Sequence, residues 1–253
     1  MGNPERTAEG SRRLAGAGPT ARLTLAGLGA VDGLVHAFTL KGADPRAALR
    51  DAAGADLPLA TVRQVHGAAV HVVGEGVLDA DGAPAGTASV EADALITRTP
   101  GVALGIFVAD CLPILIGDPV SRSIAAVHAG WRGTVRGVLG ATLGTMRARF
   151  GARPRDLRVA IGPGIGPCCF EVGEEVVEAL LRHDPGAGGC IHRSPRARVD
   201  LIEANLRQAL AAGVPADRLE AARWCTFCSP GLASFRRDRQ AAGRMAGLIG
   251  WRA

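Results

Sequence analysis

The sequence contains no tyrosine, and only 4% of its 253 residues are aromatic. It also lacks a run of the ~20 apolar residues that a membrane-spanning helix needs, and residues 1–20 have no apolar segment typical of a secretory signal. The formal net charge is +5, but the basic residues are scattered and form no stripe suited to nucleic acid. These absences predict a cytoplasmic protein that binds neither a membrane nor a nucleic acid.

The cysteines are too dispersed to form a compact disulfide framework. There are six of them, at positions 111, 168, 169, 190, 225 and 228. This pattern favours a reducing compartment, in which free thiols become candidates for metal binding or nucleophilic chemistry.

Apolar patterning predicts one folded domain. Short apolar runs predict strands over residues 33–39, 60–65, 69–73, 92–97, 102–109, 112–116, 123–127, 157–161, 219–225 and 244–249, and helical spacing predicts helices over residues 130–150, 174–182 and 200–212. Gly67 predicts a turn between two paired strands. With no internal repeat or linker, the alternation indicates a single α/β or α+β domain over residues 21–253, preceded by a flexible leader over residues 1–20.

Three residues with metal-binding side chains stand where predicted strands end. They are His66, Cys111 and His128. Their wide spacing is unlike that of a zinc finger, whereas three protein ligands and an open fourth position are typical of catalytic zinc. One cysteine with two histidines also suits copper. A buried structural thiol and hydrogen-bonded histidines are the alternative interpretation of the same residues.

A second group of cysteines competes as a metal site. Cys225 and Cys228 form a Cys-x-x-Cys pair, and the chain has no second pair of this kind. Cys168 and Cys169 would complete a set of four, which predicts a structural zinc site if the fold brings the pairs together.

Several features are candidates for anion binding. The loop Gly162–Pro167 is rich in glycine but lacks the known phosphate-binding signatures, so it is interpreted as a turn. Arg63, Arg132, Arg236 and Arg237 are candidate oxyanion or phosphate ligands. Taken individually, each is better interpreted as a solvated surface arginine.

Several long motifs, in this order along the chain, resemble one known family. They are Arg63-Gln-Val-His-Gly67, Ala92-Asp-Ala-Leu-Ile-Thr97, Val108-Ala-Asp-Cys-Leu-Pro-Ile114, Ala126-Val-His-Ala-Gly-Trp-Arg-Gly133, Gly162-Pro-Gly-Ile-Gly-Pro-Cys-Cys-Phe-Glu-Val172, Cys225-Thr-Phe227, Ser234-Phe-Arg-Arg-Asp238 and Gly243-Arg-Met245. These segments are similar to the YfiH-type family, also called the laccase-domain or multicopper polyphenol oxidoreductase-like proteins. The resemblance extends from about residue 30 to the C-terminus.

The resemblance implies a fold, a metal and a substrate class. The expected fold is a single-domain layered α-β-β-α sandwich, related to the catalytic domain of a bacterial cytotoxic necrotizing factor. The expected cofactor is one zinc ion, with copper as the alternative, on the residues His66, Cys111 and His128. The expected activity is phosphorolysis of adenosine, inosine, guanosine and methylthioadenosine, together with deamination of adenosine. The expected partners are thus a nucleoside and phosphate, and a monomer is expected.

The mechanism expected from this activity suggests candidate roles for residues in the motifs. The candidate catalytic residues are His66, Asp110, Cys111 and His128, and the candidate substrate-binding residues are Arg63, Gln64 and Arg132. Deaminases of this kind also need a carboxylate that moves protons, for which Asp93 and Asp110 are candidates and Glu171 a weaker one.

Three other functions remain open from the sequence. A copper-dependent polyphenol oxidase would need several copper ions, although the chain has only six histidines. A Cys–His hydrolase would use Cys111 as nucleophile and His128 as base. A role in editing peptidoglycan precursors, or as a binding protein without catalysis, is the third.

Overall fold

The computed structural model describes residues 12–74 and 87–252. In chain order, the strands are β1 (Arg12–Ala15), β2 (Arg22–Leu25), β3 (Leu34–Thr39), β4 (Leu59–Ala60), β5 (Val70–Val72), β6 (Ala94–Thr97), β7 (Ala103–Val108), β8 (Leu112–Asp118), β9 (Ser123–Ala129), β10 (Arg158–Ile161), β11 (Ile191–Arg193), β12 (Ala197–Val199), β13 (Leu219–Ala221) and β14 (Met245–Trp251). The helices are α1 (Ala26–Gly29), α2 (Pro45–Ala53), α3 (Trp131–Val135), α4 (Val138–Phe150), α5 (Glu174–His183), α6 (Leu201–Ala211) and α7 (Phe235–Asp238). No helix in these ranges has the length and apolar character required to cross a membrane.

The strands form two six-stranded sheets and a small ribbon. The first sheet has the order β1-β2-β3-β14-β7-β4, and the second has the order β13-β10-β8-β9-β6-β5. Neighbouring strands are antiparallel except at three edges, where β4, β5 and β13 run parallel to β7, β6 and β10. Strands β11 and β12 form the separate ribbon.

Apolar side chains are buried on both faces of each sheet. Phe38, Leu104, Leu115 and Ile124 belong to the core shared by the two sheets. Helix α2 covers the outer face of the first sheet, and α4 and α6 lie on the outer side of the second. Each fully buried leucine, isoleucine or phenylalanine stabilises this stack by roughly 1.5–3 kcal/mol. The predicted single-domain α-β-β-α sandwich is confirmed.

Local sequence signals explain where the helices begin and break. Asp200 accepts a hydrogen bond from the backbone N–H of Glu203 at 2.9 Å, and this is the predicted N-cap of α6. The helix predicted over residues 130–150 is instead two helices, α3 and α4. Gly137 between them adopts a left-handed backbone with φ of 73°, which ends the first helix.

The chain between β4 and β5 differs from the prediction. The two strands lie in different sheets, so the predicted turn between paired strands at Gly67 is wrong. Residues 61–65 are not a continuation of β4, because Arg63 makes only an isolated bridge with Glu91. At His66 the backbone has a φ of 59°, and this bend carries the chain from one sheet to the other.

The described part of the predicted leader contains a strand. Residues 1–11 of the predicted leader lie outside the described residues. Residues 12–15 form β1, which pairs antiparallel with β2 in the register Ala15 to Arg22. A four-residue strand is too short to show a clear apolar period, so its backbone pairing with β2 left no pattern in the sequence.

His36 on β3 makes folding sensitive to acid. Its side chain is 4% exposed, its Nε2 accepts a hydrogen bond from the backbone N–H of Leu25, and burial lowers its pKa from 6.5 to about 4. As the pH falls from about 6.5 to 4, the unfolded chain takes up a proton that the folded chain does not. We therefore expect the free energy of unfolding to fall by up to about 3 kcal/mol across that window because of this residue.

Urea unfolding of wild type and His36→Gln between pH 7 and pH 4 measures this effect. The glutamine amide oxygen keeps an acceptor but does not titrate, so the variant should lose less stability on acidification. The exposed His192→Gln variant should behave like wild type. Equal acid losses in wild type and His36→Gln would contradict the assignment.

Candidate metal centre

The structure brings the three predicted metal ligands to one place. Their ligand atoms all lie within 4.8 Å of one another. His66 Nε2 is 3.9 Å from Cys111 Sγ, and the rings of His66 and His128 meet edge to face with centroids 4.8 Å apart. His66 lies in the crossover between the sheets, Cys111 directly precedes β8, and His128 lies near the end of β9.

Backbone strain at the ligand His66 is compensated by a buried carboxylate, that of Asp93. His66 and Asp110 have positive φ angles of 59° and 81°, a conformation that L residues rarely adopt. Asp93 is fully buried and accepts hydrogen bonds from the backbone N–H groups of Val65, His66 and Gly67 at 3.3, 2.9 and 2.6 Å. These bonds hold the His66 turn in its unusual geometry.

The same carboxylate orients His128. Asp93 Oδ1 lies 2.8 Å from His128 Nδ1, so the ring donates through that nitrogen and leaves Nε2 for a ligand. Burial by itself raises the pKa of Asp93, but the hydrogen bonds from His128, Gly67 and His66 outweigh it and lower the pKa. Asp93 therefore stays charged and fixes the tautomer of His128.

Cys111 and His128 form a charge-separated pair. Burial favours the neutral thiol, but hydrogen bonds with His128 and His66 outweigh it and lower the pKa of Cys111 to about 7. Burial likewise opposes charge on His128, yet hydrogen bonds with Asp93 and Cys111 raise its pKa to about 9. In the metal-free site these shifts favour the thiolate of Cys111, which is the form that binds metals and acts as a nucleophile.

The donor set fits a single borderline metal ion. Bonds of about 2.3 Å from sulfur and 2.0 Å from nitrogen, at a tetrahedral angle, place the two donor atoms about 3.5 Å apart. The 3.9 Å between His66 Nε2 and Cys111 Sγ is close to that value. Two imidazoles and one thiolate suit zinc and also copper.

The three ligands line a cavity of about 600 Å³. Its other lining residues are Gln64, Phe107, Val108, Ala109, Asp110, Ile165, Phe170, Phe235, Arg236, Arg239, Gln240, Ala242, Gly243 and Arg244. The cavity therefore combines the candidate metal ligands with aromatic rings and a wall of cationic side chains, which is the composition of a small-molecule site.

Two predicted site residues line the cavity and are also held by hydrogen bonds. Asp110 Oδ1 accepts from Thr226 Oγ1, and its Oδ2 accepts from the backbone N–H of Arg236, both at 2.6 Å. The Gln64 amide donates to the carbonyl of Phe107 and accepts from its N–H, both at 2.8 Å. Gln64 thus anchors the chain before His66 to β7, and its predicted contact with substrate stays a prediction.

Two predicted substrate-binding arginines lie elsewhere. Arg63 forms an ion pair with Glu91, and the guanidinium of Arg132 stacks over the ring of Trp131 at 4.4 Å. Neither is among the described residues that line the cavity. Their predicted contact with substrate has no support from this placement.

Other arginines occupy the cavity wall. Arg236 lines it, as one of the sequence candidates, whereas Arg239 and Arg244 were missed. Arg237 points away: its guanidinium donates to backbone carbonyls, including that of Thr226 at 2.7 Å, and so braces the loop. Single arginines in a polar tail carry no periodic signal, and only the tail motif around them identified this segment.

The three carboxylates predicted to move protons have different positions. Asp93 lies beneath His128, and its oxygens are occupied by the hydrogen bonds described above. Glu171 forms an ion pair with Arg196 and is not among the described lining residues. Of the three, Asp110 alone lines the cavity.

Gly130 leaves room for the thiol. A Cβ at this position would lie 2.7 Å from Cys111 Sγ and 3.4 Å from His66 Cδ2. Gly130→Ala should therefore displace the ligands and weaken metal affinity about tenfold or more. Competition with a chromogenic chelator measures the affinity.

Gly144→Ala is the matched control. Its added Cβ meets nothing within 4 Å, on an exposed face of α4. This variant should keep wild-type metal affinity and gain up to about 1 kcal/mol of stability, because alanine favours a helix over glycine. Equal affinity of the two variants would contradict the assigned packing at the ligands.

Known proteins are similar in sequence to this chain. Purine nucleoside phosphorylase YlmD of Geobacillus stearothermophilus is 40% identical over 193 residues, which cover 75% of this chain and 70% of that protein. Adenosine deaminase RL5, from an unknown prokaryotic organism, is 38% identical over 195 residues, which cover 75% of this chain and 73% of that protein. Both relatives span most of the fold described above.

Solved structures share the architecture. The crystal structure of YlmD from Geobacillus stearothermophilus matches with a TM-score of 0.84 and 30% identity over 96% of this chain and 99% of that chain. The hypothetical protein YfiH of Bacillus licheniformis matches with a TM-score of 0.83 and 28% identity over 95% and 99% of the two chains. Residues 41–252 also match the family described as multi-copper polyphenol oxidoreductase laccase. The chain therefore belongs to this laccase-like, YfiH-type family, which confirms the resemblance of its motifs.

Proposed function

We propose that the chain is a metal-dependent enzyme acting on purine nucleosides, by phosphorolysis, by deamination of adenosine, or by both. The observation that carries this proposal is the grouping of His66, Cys111 and His128 on the wall of a cavity that also presents three arginines. Relatives named purine nucleoside phosphorylase and adenosine deaminase support the substrate class.

The metal ligands in this proposal are His66, Cys111 and His128. A zinc ion held there would supply Lewis acidity able to activate water near neutral pH. The chain itself supplies orientation, because Asp93 holds His128 through Nδ1 and fixes the His66 turn through the backbone. A preorganised ligand set avoids reorganisation during the reaction.

Phosphate is proposed to bind at the arginine wall. In phosphorolysis a phosphate oxygen bonds to the anomeric carbon of ribose, the C–N bond to the base breaks, and the purine leaves with a proton. Arg239 and Arg244 line the cavity together with Arg236, whose guanidinium also donates to the carbonyl of Glu171 at 3.1 Å. Guanidinium groups bind phosphate oxygens through paired hydrogen bonds. The backbone of Arg236 is fixed by Asp110, the residue before Cys111, so this wall is in a set position relative to the thiol.

The base is proposed to stack on the aromatic lining. Phe107, Phe170 and Phe235 line the cavity, and aromatic rings stack well on purines. Asp110 is the carboxylate that we assign to proton transfer, because it reaches the cavity while Asp93 and Glu171 do not. General acid–base catalysis of this type contributes roughly 10²–10⁴-fold.

Chromatography of adenosine after incubation with the enzyme tests the proposal. Adenine that forms only when phosphate is present indicates phosphorolysis, and inosine that forms without phosphate indicates deamination. Arg244→Ala should raise the KM for phosphate and spare deamination, whereas Arg132→Ala should change neither. Failure to convert any purine nucleoside would overturn the proposal.

A second candidate is a hydrolase independent of metal. Cys111, His128 and Asp93 form a chain of contacts like that of a Cys–His–Asp triad, with a thiol whose pKa is lowered to about 7. Activity that survives complete removal of metal but not alkylation of Cys111 would favour it.

A copper oxidase with several ions finds less support from the side chains. Within the described residues, the second cluster of metal-ligating side chains consists of four cysteines and contains no histidine. His36 lies instead within the sheet core and accepts a hydrogen bond from Leu25. The histidines that such an enzyme would require are thus not grouped around His66 and His128.

A further inference from the structure

Four cysteines outside the proposed catalytic centre converge at one surface site. They are Cys168, Cys169, Cys225 and Cys228, and their sulfur atoms all lie within 4.8 Å of one another. We propose that these four thiols bind one zinc ion as a structural site, separate from the ion at His66, Cys111 and His128.

The distances between the sulfurs fit a tetrahedral ion. Zinc–sulfur bonds of about 2.3 Å place the corners of a tetrahedron about 3.8 Å apart. Cys228 Sγ lies 3.3 Å from Cys169 Sγ and 3.7 Å from Cys168 Sγ. One sulfur close to two others suits a shared cation better than a disulfide, which joins two sulfurs at about 2.05 Å and excludes the rest.

The loops that carry the cysteines are built for close approach. Cys225 and Cys228 have the Cys-x-x-Cys spacing common in zinc loops, and the backbone N–H of Ser229 donates to the Cys225 carbonyl at 3.1 Å to close the turn. The backbone N–H of Gly166 donates to Cys225 Sγ at 3.3 Å. Such N–H···S bonds stabilise a thiolate ligand.

Gly166, two residues before Cys168, packs closely against two of the proposed ligands. A Cβ there would lie 3.2 Å from the Cβ of Cys225 and 3.4 Å from Cys168 Sγ. Any larger residue would thus press on two of the four proposed ligands. The glycine permits the two loops to touch.

Positive charge adjoins the cluster. Arg196 and Arg198 line a shallow cavity together with Cys168 and Cys169, and Arg198 donates to the Cys168 carbonyl at 3.2 Å. Zinc with four thiolates carries a net charge of about −2. The guanidinium of Arg198 therefore stabilises the site by attraction, whereas that of Arg196 is paired with Glu171.

The proposed ion would fasten two loops that form one side of the main cavity. Phe170, which lines that cavity, directly follows Cys169, and Thr226, which donates to Asp110, directly follows Cys225. Cross-linking the loops therefore fixes the positions of an aromatic wall residue and of the carboxylate beside Cys111.

Metal and thiol counting on the intact chain tests the proposal. The protein is purified under reducing conditions after growth with added zinc. We expect two zinc ions per wild-type chain, one in Cys228→Ser, one in Cys111→Ala and two in the control Cys190→Ala. All six thiols should react after unfolding in a chelator.

Cobalt substitution supplies a readout that does not depend on the folding of Cys228→Ser. Cobalt-loaded Cys111→Ala has lost the thiolate of the first site, so a strong thiolate-to-cobalt absorption band must come from the four-cysteine cluster. Absence of that band overturns the proposal, as does one zinc per wild-type chain that disappears in Cys111→Ala. Only four reactive thiols would show a disulfide instead and would also overturn it.

The outcome is independent of the nucleoside assay. A chain with two zinc ions that converts no nucleoside would contradict the proposed function and support the four-cysteine site. A nucleoside-active chain whose single zinc ion disappears in Cys111→Ala would do the reverse.

Discussion

Cys111→Ala is expected to lower turnover of purine nucleosides roughly a thousandfold and to remove one metal ion per chain. The thiolate is the anionic member of the ligand set, and without it two imidazoles alone face the cavity. Its loss also removes a hydrogen-bond partner of His128. Steady-state rates with adenosine, measured beside elemental analysis, test both effects in the same preparation.

Cys190→Ala provides the comparison for a cysteine outside the site. Cys190 is fully buried in the core between the second sheet and helices α4 and α6. Its replacement therefore tests the loss of a buried thiol that does not line the cavity. This variant should keep its metal content and its turnover while losing some stability. A metal-free Cys111→Ala enzyme with unchanged phosphorolysis would rule out a role for the metal in that reaction.

Asp93→Asn is expected to weaken metal affinity about 10–100-fold, because the group that orients His128 is replaced by a neutral amide. An amide nitrogen at either carboxylate position would face an N–H group of Val65, Gly67, His66 or His128 instead of accepting from it. A buried donor left without an acceptor costs about 1–3 kcal/mol. Chelator competition and urea unfolding separate the two effects.

Asp118→Asn separates the specific effect from the general one. Asp118 is 1% exposed and accepts hydrogen bonds from the backbone N–H of Val120 and the hydroxyl of Ser121, away from the described lining of the cavity. The Asp118→Asn variant should be less stable than wild type but should keep wild-type metal affinity. If both variants retained wild-type affinity, Asp93 would be a structural residue alone.

The candidate ligands were accessible from the sequence because they are attached to strong strand signals. The apolar runs of β7, β8 and β9 are nearly continuous, and Cys111 and His128 stand at or near the ends of two of them. Because β8 and β9 are antiparallel, the start of β8 lies beside the end of β9, which brings Cys111 next to His128. The spacing of the residues alone left the metal site open, and the family resemblance of the surrounding motifs favoured it. Their placement depends on local pattern, which a sequence carries well.

The contacts of the crossover at His66 were harder to predict from the sequence. The run before His66 has strand-like composition, yet its pairing is set by where the sheets meet and not by local preference. The buried position of Asp93 follows from hydrogen bonds to three backbone groups across this crossover. A lone aspartate before a strand gives no such signal, so its role under His128 emerged only from the structure.

The arginines of the cavity wall show how little the sequence reveals about the direction of a surface side chain. Arg63 and Arg132 stand beside conspicuous motifs but contact Glu91 and Trp131, whereas Arg239 and Arg244 reach the cavity from the tail. An arginine side chain is long and its direction depends on tertiary packing. The sequence therefore identified Arg236, but not Arg239 or Arg244, among the arginines that line the cavity.

The most direct test of the metal centre is an anomalous difference map at the zinc edge, from crystals of the protein purified with its metal. We expect a peak about 2.0–2.3 Å from His66 Nε2, Cys111 Sγ and His128 Nε2, facing the cavity. A map with no peak among these three atoms, or one in which they are too far apart to share an ion, would contradict the proposed centre.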